Sequence, residues 1–95
     1  MIPPEAVIRR GAELVYRELP EGAGLMHLGD GAFYSLNSTG AVIWDLIEGG
    51  VTFAGLVASL VRSIPDAPDG VADEASSFIE ALAERDLVEI VIPPD

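Results

Sequence analysis

The sequence predicts an α+β fold, a three-stranded antiparallel β-sheet followed by three α-helices, and three observations carry that expectation. Apolar residues alternate at a period of two as far as Leu36 and at a helical period after it. Gly29-Asp30-Gly31 stands between two short apolar arms, as a hairpin turn requires. Asn37-Ser38, Gly49-Gly50, Thr52 and the Pro65–Gly70 stretch then punctuate the helical part where caps and stops belong.

The β-like part has three stretches. Ala6–Arg10 and Glu13–Leu19 are rich in β-branched or alternating residues and are separated by Gly11. Gly24–Leu36 reads as a hairpin closed by a two-residue primed turn. Its parity puts Leu25, His27, Ala32, Tyr34 and Leu36 on one face, and Met26, Leu28, Phe33 and Ser35 on the other. Large apolar groups on both faces predict one covered side and one partly covered side.

The first helix is expected over Thr39–Glu48, with Asn37 or Ser38 as its cap and Val42, Ile43, Leu46 and Ile47 as its stripe, widened by Trp44. Gly40 removes a side chain where helix and strand pass closely, and Gly49-Gly50 supplies a left-handed stop. Thr52 caps a second helix that buries Phe53, Leu56, Val57, Leu60, Val61 and Ile64 and ends at Pro65. Pro65–Gly70 is a loop. A third helix follows over Val71–Asp86, with Val71, Ala75, Phe78, Ile79 and Leu82 as its buried stripe. Leu87–Ile92 fits a closing strand, stopped by Pro93-Pro94. The order is that of the winged-helix neighbourhood, in which a helical unit is joined to a β-hairpin.

Composition limits what such a fold does. The chain has 95 residues, 49% of them hydrophobic, and is expected to be one domain over 1–95. A chain of this length buries about 60–65% of its unfolded surface, which leaves little room for a deep active site. No apolar run approaches the roughly 20 residues of a membrane span. The start lacks the basic and apolar regions of a signal peptide, so a cytoplasmic location is expected. Cysteine is absent and His27 is the only histidine, so no metal site and no cofactor is expected, and His27 is read as structural or exposed. No nucleophile–base–orienter pattern appears among the Ser, Thr and carboxylate residues, so no catalytic residue and no enzymatic activity is assigned.

Charge decides the next question. Five arginines and no lysine stand against 16 acids, for a net charge of −11. Thr52–Asp86 contains only Arg62 and Arg85 as basic residues, so a recognition helix there lacks phosphate anchors. Nucleic acid is not an expected partner. An acidic surface of this kind suits a basic peptide, a basic protein or plain solubility.

Tyr34–Gly50, "YSLNSTGAVIWDLIEGG", has a pattern of its own. It resembles the core of PqqD-like proteins, Leu-Asn-x-Thr-Gly followed by Ile-Trp, Leu and a closing Gly, with Leu36, Asn37, Thr39, Gly40, Ile43, Trp44, Leu46 and Gly49 in those places. Phe78, Ile79, Leu82 and Leu87 match the family's third helix, with Glu74 at its Asp place and Ala75 at its Val place. Asp86 replaces a usual helix-ending Gly, and Gly55 replaces a usual acidic residue. The resemblance is strongest over 24–90.

The resemblance implies a RiPP recognition element, a domain of ribosomally synthesised and modified peptide pathways. Such a domain binds the leader segment of a precursor peptide and presents it to a modifying enzyme or leader peptidase. It implies binding by strand addition at the third strand, beside the third helix. The sites it implies are Ala32, Phe33, Tyr34, Ser35 and Leu36 on the strand, and Glu74, Ser77, Phe78, Ala81, Leu82 and Arg85 on the helix. The residues agree with that mode: Ala32–Leu36 has no proline or charge to guard an edge, and Ser77 and Ala81 are small at i and i+4. Within the corner, Trp44 is read as a core aromatic and Asn37 and Thr39 as cap and turn residues. The Gly29-Asp30-Gly31 turn, where pyrroloquinoline quinone proteins usually carry Pro-Glu-like residues, favours a lasso-peptide or other PqqD-like pathway. The alternative function is an acidic winged-helix interaction module with no RiPP role. An undefended edge also allows a weak homodimer beside the monomer.

Overall fold

The computed structural model describes residues 2–64 and 69–94. Along the chain run β1 (Val7–Arg10), β2 (Leu14–Leu19), β3 (Gly22–His27) and β4 (Phe33–Leu36), then α1 (Ser38–Leu46), β5 (Val51–Thr52), α2 (Phe53–Ser63), α3 (Val71–Glu84) and β6 (Val88–Val91). The class is α+β with three helices, as the change of hydrophobic period predicts. The expectations for Pro65 as helix stop and for a loop over Pro65–Pro68 lie outside the described residues.

The predicted antiparallel three-stranded sheet is β2-β3-β4. The first β-like stretch is not part of it. β1 instead centres a second sheet, β5-β1-β6, pairing Val7 with Val91, Ile8 with Ile90, Arg9 with Glu89 and Arg10 with Val88. Gly11 makes that departure possible, because its N–H donates to the Leu87 carbonyl at 2.8 Å and a Cβ there would stand 2.7 Å from the Asp86 oxygen. Glu13, at φ 60, completes the corner between the two sheets. Strand partners so distant in sequence are not encoded in local period, which is why the alternation of Ala6–Arg10 predicts a strand and not its neighbour.

The hairpin keeps its predicted faces but not its predicted turn. Leu25 pairs with Tyr34 and Met26 with Phe33, while Leu28–Gly31 form a four-residue loop. That loop is closed by His27 N–H to the Ala32 carbonyl at 2.9 Å and Gly31 N–H to the His27 carbonyl at 2.8 Å. Asp30 Oδ1 accepts from Ala32 N–H, and His27 Nδ1 accepts from Gly29 N–H. Two side chains thus take over donors that a two-residue turn would pair across the ladder, and His27 has a structural task.

The helix ends follow from named caps. Asn37 Oδ1 accepts from Gly40 N–H at 2.8 Å, and Thr52 Oγ1 accepts from Gly55 N–H at 3.1 Å. Gly49 and Gly50, at φ 81 and 92, carry the chain out of α1 in the left-handed region. The core collects Ile8, Leu25, Trp44, Ile47, Leu56, Leu60, Ile79 and Leu87 from both sheets and all three helices. Trp44 lies 2% exposed, so it is a core residue as predicted. The Arg10 guanidinium stacks on its ring at 4.8 Å and donates to its carbonyl at 2.9 Å, tying β1 to α1. No helix among the described residues is long and apolar enough to cross a membrane.

Candidate functional site

β4 pairs with β3 alone among the described strands, so its second edge is open. The direction of its backbone groups follows from the ladder. His27 N–H reaches the Ala32 carbonyl, so His27 and Ala32 are a hydrogen-bonded pair. Such pairs alternate in an antiparallel ladder, so Leu25–Tyr34 and Ala23–Leu36 are bonded pairs as well. The N–H and C=O groups of Phe33 and Ser35 therefore face away from the sheet. Among the described residues these groups have no strand partner, and no charge in Ala32–Leu36 guards them.

The side chains of β4 divide between two environments. Leu36 is buried and Tyr34 half-buried on the helix side, whereas Phe33 is 58% exposed on the outer face. There Phe33 crosses Gly24 and joins Val15, Leu19 and Met26 around a shallow apolar hollow. Ala32 is half-buried, with its N–H and C=O occupied by the hairpin loop.

The other wall is α3. Glu74, Phe78, Ala81 and Arg85 follow one another at i, i+4, i+7 and i+11, which keeps them on one side of a helix. Arg85 closes the row with its guanidinium 5.5 Å from the Tyr34 ring centre and its Nη1 donating to the Ala81 carbonyl at 3.2 Å. At the opposite end the Phe78 ring occupies the space above Gly40, where a Cβ would lie 3.0 Å from the ring. The close approach predicted for Gly40 is thus made by α3 rather than by a strand. α3 runs antiparallel to β4, its first turn beside Asn37 and its end beside Tyr34.

Between α1 and the start of α3 lies a cavity of about 220 Å³. Ile43, Leu60, Val71, Ala75 and Phe78 make its apolar part, while Asn37, Thr39 and Glu74 make its polar part. It is smaller than the roughly 300–1,000 Å³ of small-molecule sites, and suits one side chain better than a cofactor. Of the residues expected at the site, Glu74 and Phe78 line this cavity, and Arg85 lies over Tyr34 at the other end of the same helix row. Ala81 is exposed on that row, and Leu36 and Leu82 are buried in the core at 6% exposure each. Ser77 is exposed and is not part of the cavity lining. Asn37 and Thr39, read from sequence as cap and turn residues, and Gly40, read as a close-approach position, also line the cavity. Their position directly after an open strand was the available signal.

Electrostatically the wall is acidic at its start, and at its end Arg85 stands between Glu84 and Asp86 in the chain. Asp73 and Glu74 sit in the first turn of α3, and Arg85 caps its last. On the outward side, Ser76 donates to Glu80 at 2.9 Å, and that hydrogen bond is the main reason the Glu80 carboxyl titrates below the usual glutamate range. Among the described residues no group of three or more His, Cys, Asp or Glu stands close enough to hold a metal ion.

An open strand edge beside a helix wall defines a class: α+β domains whose form suits the uptake of an extended chain. The chain belongs to the PqqD family, since residues 23–88 match the family described as coenzyme PQQ synthesis protein D. The match takes in the Leu-Asn-x-Thr-Gly corner, β3, β4 and all three helices. The chain is also similar to a solved structure described as TbiB1 in complex with the TbiA(beta) leader peptide. Identity is 25% and the TM-score 0.75, over 85% of this chain and 94% of that one. No curated protein matches the sequence.

Proposed function

We propose that this chain is a RiPP recognition element, which binds the leader segment of a precursor peptide and holds it for a modifying enzyme or leader peptidase of the same pathway. The observation that carries the reading is the open edge at Phe33 and Ser35 beside the α3 wall, in a family member similar to a protein solved with a leader peptide. The leader adds to β4 as an antiparallel strand, exchanging N–H and C=O bonds with Phe33 and Ser35. Its side chains alternate between the α3 groove and the outer face. The chain's part is binding and presentation rather than catalysis. The Gly29-Asp30-Gly31 loop favours a lasso-peptide or other PqqD-like pathway over pyrroloquinoline quinone synthesis itself.

Magnitudes assign the work. Four backbone bonds at about 0.5–1.5 kcal/mol each contribute roughly 2–6 kcal/mol. A nanomolar to micromolar leader needs about −8 to −12 kcal/mol after the cost of association. Backbone pairing alone falls short, so the groove must bury apolar leader side chains, at about 25 cal/mol per Å². Register comes from the edge and selectivity from the helix wall.

Calorimetry with the leader and core segments of a matching precursor peptide, taken separately, tests the reading. The leader binds at nanomolar to micromolar strength, and the core alone binds weakly. Tight binding of the core with none of the leader overturns it.

A further inference from the structure

The groove is not electrically uniform, and its asymmetry specifies the order of charges in the peptide. At the Asn37 end, a cavity with an apolar interior carries the Glu74 carboxylate in its lining, and that carboxylate has no cation partner among the described residues. Asp73 adds a second charge in the same turn. The starts of α1 and α3 bring about half a positive charge each. One N–H at the α1 start is already taken by Asn37 Oδ1, so two full carboxylates leave this end negative. At the Tyr34 end the Arg85 guanidinium lies over the ring, 5.5 Å from its centre. It makes no ion pair within 4.0 Å among the described residues, although Glu84 and Asp86 flank it in the chain. The asymmetry is thus one of a single groove-facing cation against the Glu74 carboxylate. Arg9 and Arg10, by contrast, are neutralised by Glu89 and by Asp45 and Glu48.

We infer that the peptide taken up by this groove carries a lysine or arginine towards its N-terminal end, seated in the Glu74 cavity, and an aspartate or glutamate about five residues later, meeting Arg85. This rests on the leader-binding reading above and deepens it. A long basic side chain matches the cavity because its methylene stem lies against Ile43, Val71 and Phe78 while its charge reaches Glu74. The spacing follows from geometry. Eleven helical residues from Glu74 to Arg85 span about 16 Å at 1.5 Å each, which an extended strand covers in roughly five residues. The order follows from direction. β4 runs from the Arg85 end to the Glu74 end, so an antiparallel strand meets Glu74 first. A parallel strand would need the acid first.

Selection of a random dodecapeptide library on the full chain reads this directly. Wild-type protein enriches peptides with a basic residue about five positions before an acidic one. The double variant Glu74→Lys, Arg85→Glu enriches the reverse order. Glu74→Gln and Arg85→Gln, which preserve shape, each weaken a selected wild-type peptide about fivefold, as a partly exposed ion pair predicts, with unchanged melting. Selected peptides with no charge order, with acid before base, or with the same order on the double variant overturn the inference and leave leader binding standing. If the wild-type chain selects no peptide at all, the leader-binding reading falls and this inference falls with it.

Discussion

Asp86 holds φ 59 at the end of α3, in the place where a helix-ending glycine is usual, and the helix still closes in full. Leu87 N–H donates to the Leu82 carbonyl at 3.0 Å and Asp86 N–H to the Ala83 carbonyl at 3.1 Å, the paired bonds of a Schellman stop, with Leu87 buried behind them. The left-handed conformation strains any residue with a Cβ, though Asp less than most. Asp86→Gly should therefore stabilise the fold by about 0.5–1 kcal/mol, raising the melting temperature by roughly 2–8 °C. An unchanged or lower melting temperature would mean that the Asp86 side chain contributes more than its strain costs. The sequence already marked Asp86 as a departure. What it did not reveal was Phe78 seated above Gly40, because that contact joins two helices distant in the chain. The caps Asn37 and Thr52 were legible because a cap is a short-range hydrogen bond between neighbours in sequence.

The open edge of β4 makes a prediction that separates binding from folding. Ser35 N–H points outward, so Ser35→Pro removes a bond offered to the leader while the β3 ladder survives. Leader affinity should drop more than tenfold with the circular-dichroism spectrum retained. Tyr34→Pro removes an N–H that bonds to β3 and should lower the melting temperature sharply instead. Equal effects from the two variants would mean that the ladder alternation is misassigned. On the opposite wall, Ala81→Arg fills the groove rim between Phe78 and Arg85. It should weaken leader binding by more than about 1.4 kcal/mol, a factor of ten, without unfolding the protein. Full-strength binding by a folded Ala81→Arg protein would place the groove elsewhere. The three helices and most strands were legible from hydrophobic period, whereas the two-residue β5 was too short to leave a pattern. The two faces of the β3–β4 hairpin were legible too. The loop of the hairpin was not, because His27 and Asp30 side chains take backbone donors that turn composition alone does not count.

At the scale of the whole molecule, charge and topology act together. With a net charge of −11 and no lysine, the protein should give no shift of duplex DNA at about 50 mM salt, where phosphate attraction is strong. A salt-sensitive shift would show that the winged-helix-like order serves nucleic acid after all. The second sheet, in which β1 meets β6, was beyond the sequence because its strands come from opposite ends of the chain. By closing Gly11 onto Leu87 it holds the end of α3 beside the sheet corner, so the helix wall and the strand edge keep one spacing. The central claim, that a leader joins β4 at its open edge, is tested most directly by amide hydrogen exchange followed by NMR with and without the leader peptide. In the free protein the Phe33 and Ser35 amides should exchange quickly, and leader binding should protect both by more than tenfold while Tyr34, already bonded to β3, changes little. Protection that spares Phe33 and Ser35 and falls instead on the exposed side of α2 would contradict it.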